Sequence, residues 1–211
     1  MYLVTRPGFS ANREQVIDEL WPDADPDSAI NNLNQSLYFL RREIDPWYED
    51  DLSVDYVELQ RDLIWLDRDL VSAESADFLA AAQRRSTDLS ELHRGVVSYA
   101  GQFAPEFEYE EWAMSWRGTV HATFLDLAHS VIDQLVGQDQ LSLARDVATH
   151  VLRIDPTATD IQLRLVWIYG RMGIVSAARS LYELVERQDR DDGIEPVPLA
   201  TLLGGPFPIV R

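Results

Sequence analysis

The chain has neither cysteine nor lysine among its 211 residues. Without cysteine there is no disulfide, no thiolate-held zinc or iron–sulfur cluster, and no thiol nucleophile. All 18 basic residues are arginines, and they face 36 aspartates and glutamates, for a net charge of −18. A field of that sign repels polyanions and anionic membranes, so any nucleic-acid contact has to come from a local cationic face. Long apolar runs are missing too, which excludes a membrane-spanning helix from the reading. Met1 to Gly8 lack the basic start and apolar stretch of a secretory leader, so the expectation is a cytoplasmic protein. No glycine-rich phosphate loop and no Gly-x-Ser-x-Gly elbow occurs, and the expectation is a non-enzyme without a cofactor. What the chain does have is 46% hydrophobic residues and six tryptophans, enough for a packed core in one large or two small domains.

Composition divides the chain near residue 70. Residues 1–70 carry 6 Arg against 16 acidic residues and are dense in turn formers such as Pro7-Gly8, Pro22, Pro26 and Pro46. Asn12 with Gln15 three residues on is a capping-box pattern for a helix through Val16, Ile17 and Leu20, ending at Trp21-Pro22. Asp25 as N-cap and Pro26 at the first helical position open a second helix. Its apolar positions, Ile30, Leu33, Leu37, Leu40 and Ile44, recur at spacings of three and four and place one stripe against a core. Pro46 ends it, the acidic run Glu49–Asp51 reads as a solvated loop, and Val54, Tyr56–Leu59 and Leu63–Leu66 make short strand-like runs. Gln60-Arg61-Asp62 between the runs reads as a hairpin tip, without the favoured Asn-Gly or Asp-Gly pair.

Residues 71–211 read as helical almost throughout. Short helices are expected over Ala76–Arg85 and Leu89–Ala100, the second capped by Thr87 or Asp88. A long helix is expected from about Glu108 to Val136, and helices over Leu141–Ile154, Thr159–Met172 and Val175–Gln188 follow. Pro198–Leu203 adds a last turn. An internal repeat runs at 34 residues: Val131 matches Leu165, Leu135 Tyr169, Ala144 Ala178, Val147 Leu181 and Val151 Val185. The small residues Ala144 and Ala178 fall where paired helices approach closely. This is the signature of tetratricopeptide-like helix pairs.

Few residue groups outside this pattern suggest chemistry. His121 and His129 are two turns apart, roughly 12 Å along a helix, too far to ligate one metal jointly. Packed or solvated histidines are the simpler reading, even with Asp126 and Asp133 nearby, and no metal site is expected. Glu106, Glu108, Glu110 and Glu111 suit the start of a helix. Trp112 and Trp116 share a face and read as core rather than a ligand cage. The helix over Ser28–Ile44 carries more. Its polar side offers amides at Asn31, Asn32, Asn34 and Gln35, a phenol at Tyr38 and guanidinium groups at Arg41 and Arg42. Asn and Gln can pair bidentately with adenine in the major groove, while Arg reads guanine or holds phosphate. An ordinary surface helix has the same composition, so this alone does not decide.

The run Leu20-Trp21-Pro22-Asp23-Ala24-Asp25-Pro26, then Asn31-Asn32-Leu33-Asn34-Gln35-Ser36-Leu37 and Leu40-Arg41-Arg42-Glu43-Ile44, resembles the DNA-binding half of the Streptomyces antibiotic regulatory protein family. Tyr109-Glu110-Glu111-Trp112-Ala113, the helix pairs after it and Gly193-Ile194-Glu195-Pro196 resemble its partner, the bacterial transcriptional activator domain. The resemblance implies a mainly α protein. Residues 1–70 would form a partial winged helix-turn-helix with a small β-hairpin, and 71–211 a tetratricopeptide-like helical repeat bundle. It further implies an N-terminally truncated member, in which Met1 falls inside the first helix and the opening sheet is absent. That leaves an apolar face near Tyr2 and Leu3 uncovered. Carried over by position, Asn31, Asn32, Asn34, Gln35, Tyr38, Arg41 and Arg42 would face DNA, Arg13 would sit near phosphate, and Arg61 would stand at the wing tip. The family usually has more Arg on this helix and a Gly-Gly-Tyr-like turn in the wing, where this chain has Arg61-Asp62.

The resulting expectation is a transcriptional regulator, or a fragment of a larger one, that binds double-stranded DNA through helix 28–44. Its repeat domain would contact a protein partner or further domains of a longer chain, and a homodimer would offset the small number of arginines. The rival is a protein-interaction module whose winged half no longer binds DNA. The acidity, the missing sheet and the low Arg count motivate it, and Tyr38, Phe39 and the apolar face near Tyr2 and Leu3 would then contact another protein or domain.

Overall fold

A computed structural model describes residues 1–45, 47, 55–84 and 86–208. Pro46, the Glu49–Asp51 run and Val54 lie outside the described residues. The chain is mainly helical with one small antiparallel sheet, and it packs as two compact units. The first comprises 1–80 and 103–119, and the second 81–102 and 120–211. The division is therefore not a single cut at residue 70.

The first unit opens with two 3-10 turns, Tyr2–Thr5 and Pro7–Phe9, followed by strand β1 (Ser10–Asn12), helix α1 (Arg13–Leu20) and helix α2 (Pro26–Ile44). Strands β2 (Val57–Gln60) and β3 (Leu63–Leu66) form a hairpin, and helix α3 (Glu74–Gln83) follows. The start of α1 is fixed by Asn12, whose N–H donates to Gln15 Oε1 at 3.1 Å. Asp25 caps α2 by accepting from the Ser28 N–H at 3.1 Å, with Pro26 in the first turn where a missing N–H costs nothing.

The sheet has the order β1-β3-β2, with Ala11 opposite Ile64 and Leu59 opposite Ile64 on the other side. The hairpin is thus joined by a third strand that the sequence reading did not contain. Burial alternates along β1 and β3 as a half-covered sheet requires: Ala11, Ile64 and Leu66 point into the core.

Two expectations are corrected here. Tyr2 and Leu3 do not form an uncovered face: Tyr2 is only 5% exposed, and its ring stands edge-on to Trp112 at 5.9 Å. Trp112 and Ala113 belong to the same core as Phe9, Val16, Leu33, Leu37, Val57 and Ile64. Segment 103–119 supplies the cover. On α2, Ala29 rather than Ile30 heads the buried stripe; Ile30 is exposed. At about 100° per residue, Ala29 and Ile30 lie at the two edges of the stripe, and it is the Ala29 edge that turns into the core.

Segment 103–119 is held by one cation. Arg117 donates to the carbonyls of Phe103 (2.8 Å), Ala104 (2.7 Å) and Phe107 (3.2 Å). These carbonyls flank a turn in which Ala104 is left-handed, with φ 46°. Trp116 Nε1 donates to Ser75 Oγ at 3.1 Å and fixes the start of α3.

The second unit contains helix α4 (Leu89–Ser98), capped by Asp88, which accepts from the Ser90 N–H at 2.8 Å. Helix α5 (Glu111–Gly137) gives its first turns to the first unit and the remainder to the second. It begins at Glu111, three residues later than expected, because Pro105–Phe107 forms a separate 3-10 turn. Helices α6 (Leu141–Ile154), α7 (Thr159–Arg171), α8 (Val175–Asp191) and α9 (Leu199–Gly204) complete it. Val131, Leu135, Ala144, Val147 and Val151 are buried; of their repeat mates Leu165, Ala178 and Val185 are buried, and Tyr169 and Leu181 are half-buried. Short links make consecutive helices pack side by side, and alanine at the crossing lets their backbones approach.

Candidate nucleic-acid interface

Helix α2 has 19 residues, a length of about 28 Å. With Ala29, Leu33 and Leu37 inward, helical geometry puts Asn31, Gln35, Tyr38, Phe39 and Arg42 on the opposite side. All five are exposed. Asn34 is exposed on the flank of this face, and Asn32 is half-buried on the other flank. The helix therefore presents amides in its first half and a phenol–guanidinium pair in its second. Arg42 Nη1 donates to Tyr38 Oη at 3.4 Å, and its guanidinium lies 5.5 Å from the Tyr38 ring centroid. The Tyr38 ring meets Phe39 edge-on at 5.6 Å.

Arg41 is engaged differently. It is half-buried, and its Nε and Nη2 donate to the Val57 carbonyl at 3.1 and 3.0 Å. It ties α2 to the hairpin, so α2 and the hairpin keep a fixed mutual setting.

Arg61 is the first of two loop residues between the paired Gln60 and Leu63, and it is exposed. Its φ of 57° is a left-handed conformation that glycine adopts without strain. The neighbouring Asp62 carbonyl accepts the Arg13 N–H at 2.7 Å. The hairpin tip is thus stitched to the first residue of α1, and Arg13 and Arg61 share one end of the sheet. Arg13 itself is half-buried. Other first-unit cations serve packing: Arg6 lies 5.3 Å from the Tyr2 ring and Arg68 5.1 Å from the Phe9 ring. Exposed carboxylates stand on α2 at Asp27 and Glu43, and Asp62 follows Arg61 at the hairpin tip. Hydrogen bonds from Ser28 hold the Asp25 carboxyl below its usual range, so the cap of α2 stays ionised.

A surface cleft of about 420 Å³ is lined by Tyr2, Arg6, Gln15, Asp18, Glu19 and Pro22. Among the described residues, no group of three or more His, Asp or Glu is arranged to hold a metal ion, and no helix is long and apolar enough to cross a membrane.

The histidines of α5 bind carboxylates rather than each other. His121 Nε2 lies 3.0 Å from Asp155 Oδ2, and His129 pairs with Asp160. Asp133 pairs with Arg164, whose side chain is buried. Burial raises the Asp155 carboxyl, but hydrogen bonds from Thr157 and His121 outweigh it, and the net shift is downward. Asp160 follows the same pattern, with His129 as its main donor against the burial.

Arg117 and the tie between Arg41 and Val57 are not legible in the sequence. Both involve main-chain carbonyls distant in sequence, which leave no residue-type signal. Compared with models of known protein families, the chain matches none, and no curated protein is significantly similar to it.

Proposed function

We propose that the first unit is a winged helix-turn-helix module that binds double-stranded DNA in a cytoplasmic transcriptional regulator. In this reading α1 and α2 are the helix-turn-helix, α2 lies in the major groove, and β2–β3 is the wing. The observation that carries it is the outward face of α2, with Asn31, Gln35 and Arg42 in a row and the hairpin cation Arg61 beside the start of α1. The chain order β1-α1-α2-β2-β3 with sheet order β1-β3-β2 supports it. Asn31 and Gln35 would read adenine, Arg42 guanine or phosphate, and Arg13 and Arg61 phosphate. Arg41 is a positioning residue that sets the wing against α2. The second unit is a tetratricopeptide-like repeat that contacts protein partners.

Three cations set the magnitude. Each phosphate neutralised contributes about −0.9 to the slope of log affinity against log salt, so one copy should show a slope near −2.7. Such binding is weak and salt-sensitive, and two copies on one duplex would double the slope. The test is fluorescence anisotropy on duplexes selected from a random pool, at several salt concentrations. Arg42→Ala and Arg61→Ala should each reduce the affinity and lower the slope by about one. Asn31→Ala with Gln35→Ala should relax sequence preference at a smaller cost in affinity. Absence of salt-sensitive duplex binding at low salt would refute the reading.

A second reading has its own observation. Phe39 is 61% exposed at the edge of the same face, beside exposed Tyr38. Exposed aromatics of this kind anchor protein contacts. In that case the face docks another protein, duplex binding is absent, and Phe39→Ala rather than Arg42→Ala removes partner binding.

A further inference from the structure

The cleft of about 420 Å³ in the first unit brings a guanidinium and two carboxylates to one concavity without joining them. Asp18 and Glu19 stand three and four residues after Gln15, and Pro22 follows a turn later, so these four share one side of α1 and its end. Tyr2 and Arg6, from the opening turns of the chain, form the facing wall. We infer that this cleft binds a free basic α-amino acid, with Arg6 taking its carboxylate and Asp18 and Glu19 its two cationic groups.

Three observations carry this. First, the opposed charges do not neutralise one another. The Arg6 guanidinium lies 5.3 Å from the Tyr2 ring centroid, and among the described residues neither it nor Asp18 nor Glu19 forms an ion pair. In the second unit, by contrast, Arg145, Arg164 and Arg190 each hold a carboxylate. The ring contact leaves the N–H groups of Arg6 unengaged, and their fork fits a carboxylate bidentately.

Second, the walls are already set. The Arg6 N–H donates to the Leu3 carbonyl at 3.1 Å and Thr5 Oγ1 to the Tyr2 carbonyl at 2.8 Å, which closes the opening turn. Tyr2 is buried and braced by the Trp112 ring. Gln15 Oε1 accepts from the Asn12 N–H, so this side chain is tethered and its amide nitrogen is the end left for a ligand. Side chains held in place lose little freedom on binding. Burial pushes the Tyr2 phenol above its ordinary value, Arg6 pulls it down and Glu19 raises it, so the phenol lies within reach of charges of both signs.

Third, size and charge select the ligand. Small-molecule clefts run from about 300 to 1,000 Å³. At about 420 Å³ this one suits a single amino acid rather than a large cofactor. One guanidinium against two carboxylates leaves a negative charge over. Lysine or arginine, a zwitterion with a further cation on its side chain, balances that charge; a neutral or acidic amino acid does not. A diamine has no anion for Arg6, and a simple carboxylic acid has no cation for Asp18 and Glu19. The strongly anionic chain also draws a net cation toward the cleft.

The test is isothermal titration calorimetry of the full chain at low salt with L-lysine, L-arginine, L-lysine methyl ester, cadaverine and L-glutamate. L-Lysine or L-arginine should bind at least about tenfold more tightly than the ester and cadaverine, which lack the carboxylate, and L-glutamate should give no binding heat. Arg6→Gln should lower the affinity for L-lysine to that for cadaverine and leave cadaverine unchanged. Glu19→Gln should weaken L-lysine and cadaverine alike. Circular dichroism checks that each variant is folded; where one is not, the comparison of L-lysine with its ester on the wild type decides by itself. The titration contains no DNA, so its outcome is separate from duplex binding. No binding of either basic amino acid would overturn the inference, as would equal binding of L-lysine and its ester, which marks a plain acidic patch. A preference for L-lysine over cadaverine that survives Arg6→Gln, or affinities indifferent to Glu19→Gln, would overturn it too.

Discussion

Asp139 and Gly173 occupy the same place in two successive helix pairs, and both are left-handed, with φ of 58° and 75°. Identical backbone bonds close the two turns: the Gln140 and Ile174 N–H groups reach the carbonyls of Leu135 and Tyr169, each at 2.8 Å. These are Schellman-type endings, for which glycine is the favoured residue. Asp139 is thus the strained member of a matched pair. Asp139→Gly should raise stability by about 0.5–1 kcal/mol, and Gly173→Ala should lower it by about 1 kcal/mol. Urea denaturation midpoints of the two variants check both signs.

The adjacent arginines of α2 should separate cleanly. Arg41→Ala removes both hydrogen bonds to the Val57 carbonyl and should cost about 1.5–3 kcal/mol of stability. Arg42→Ala removes a surface contact to Tyr38 and should change stability by no more than about 0.5 kcal/mol. In duplex binding the order reverses once each variant is assayed well below its melting temperature. Thermal melts beside the anisotropy titrations measure the two effects independently.

Acid should loosen the second unit through Asp155 and Asp160. Both carboxyls titrate below their ordinary value of 3.8 in the folded chain. Near and below that value the unfolded chain therefore holds more protons than the folded one. The stabilisation is present in full above the unfolded value and is lost as pH falls through the folded one. Melting temperature should drop between pH 5 and pH 2.5, and Asp155→Asn with Asp160→Asn should flatten that drop. A drop of unchanged size in the double variant would remove these two carboxylates as its source.

Trp112 closes the first core against Tyr2 and also meets the Phe107 ring at 5.3 Å. Trp112→Ala should cost about 3–5 kcal/mol, the usual effect of truncating a large buried aromatic. Tyr2, buried beneath it, should become accessible, which near-ultraviolet difference spectra and nitration of the phenol would both register.

Local chemistry made part of this molecule readable in advance. The ends of α1 and α2 follow from Asn12, Gln15, Asp25 and Pro26, whose capping acts within three residues. The helix pairs follow from apolar spacing and from Ala144 and Ala178. Strand β1 was not readable, because three residues carry too short a pattern and their partner β3 lies about fifty positions away. The cover over Tyr2 and Leu3 was missed for the same reason: nothing near them points to Trp112. On α2 the residue types gave the outward face, but Arg41 and Arg42 look alike in sequence, and only the position of Val57 tells them apart. The hydrogen bond from Trp167 Nε1 to the Gly205 carbonyl likewise ends on a main-chain atom, which residue identity does not encode.

The use of 103–119 in the first core has a consequence for synthesis. As the chain leaves the ribosome, residues 1–80 emerge with no lid over Tyr2 and Leu3, and the lid arrives only after Arg117 can gather the carbonyls of Phe103, Ala104, Phe107 and Glu108. At about 5–20 residues per second the wait lasts a few seconds. For that interval the nascent head is a half-closed, sticky intermediate, and the intervening stretch has to loop out before the head can finish folding.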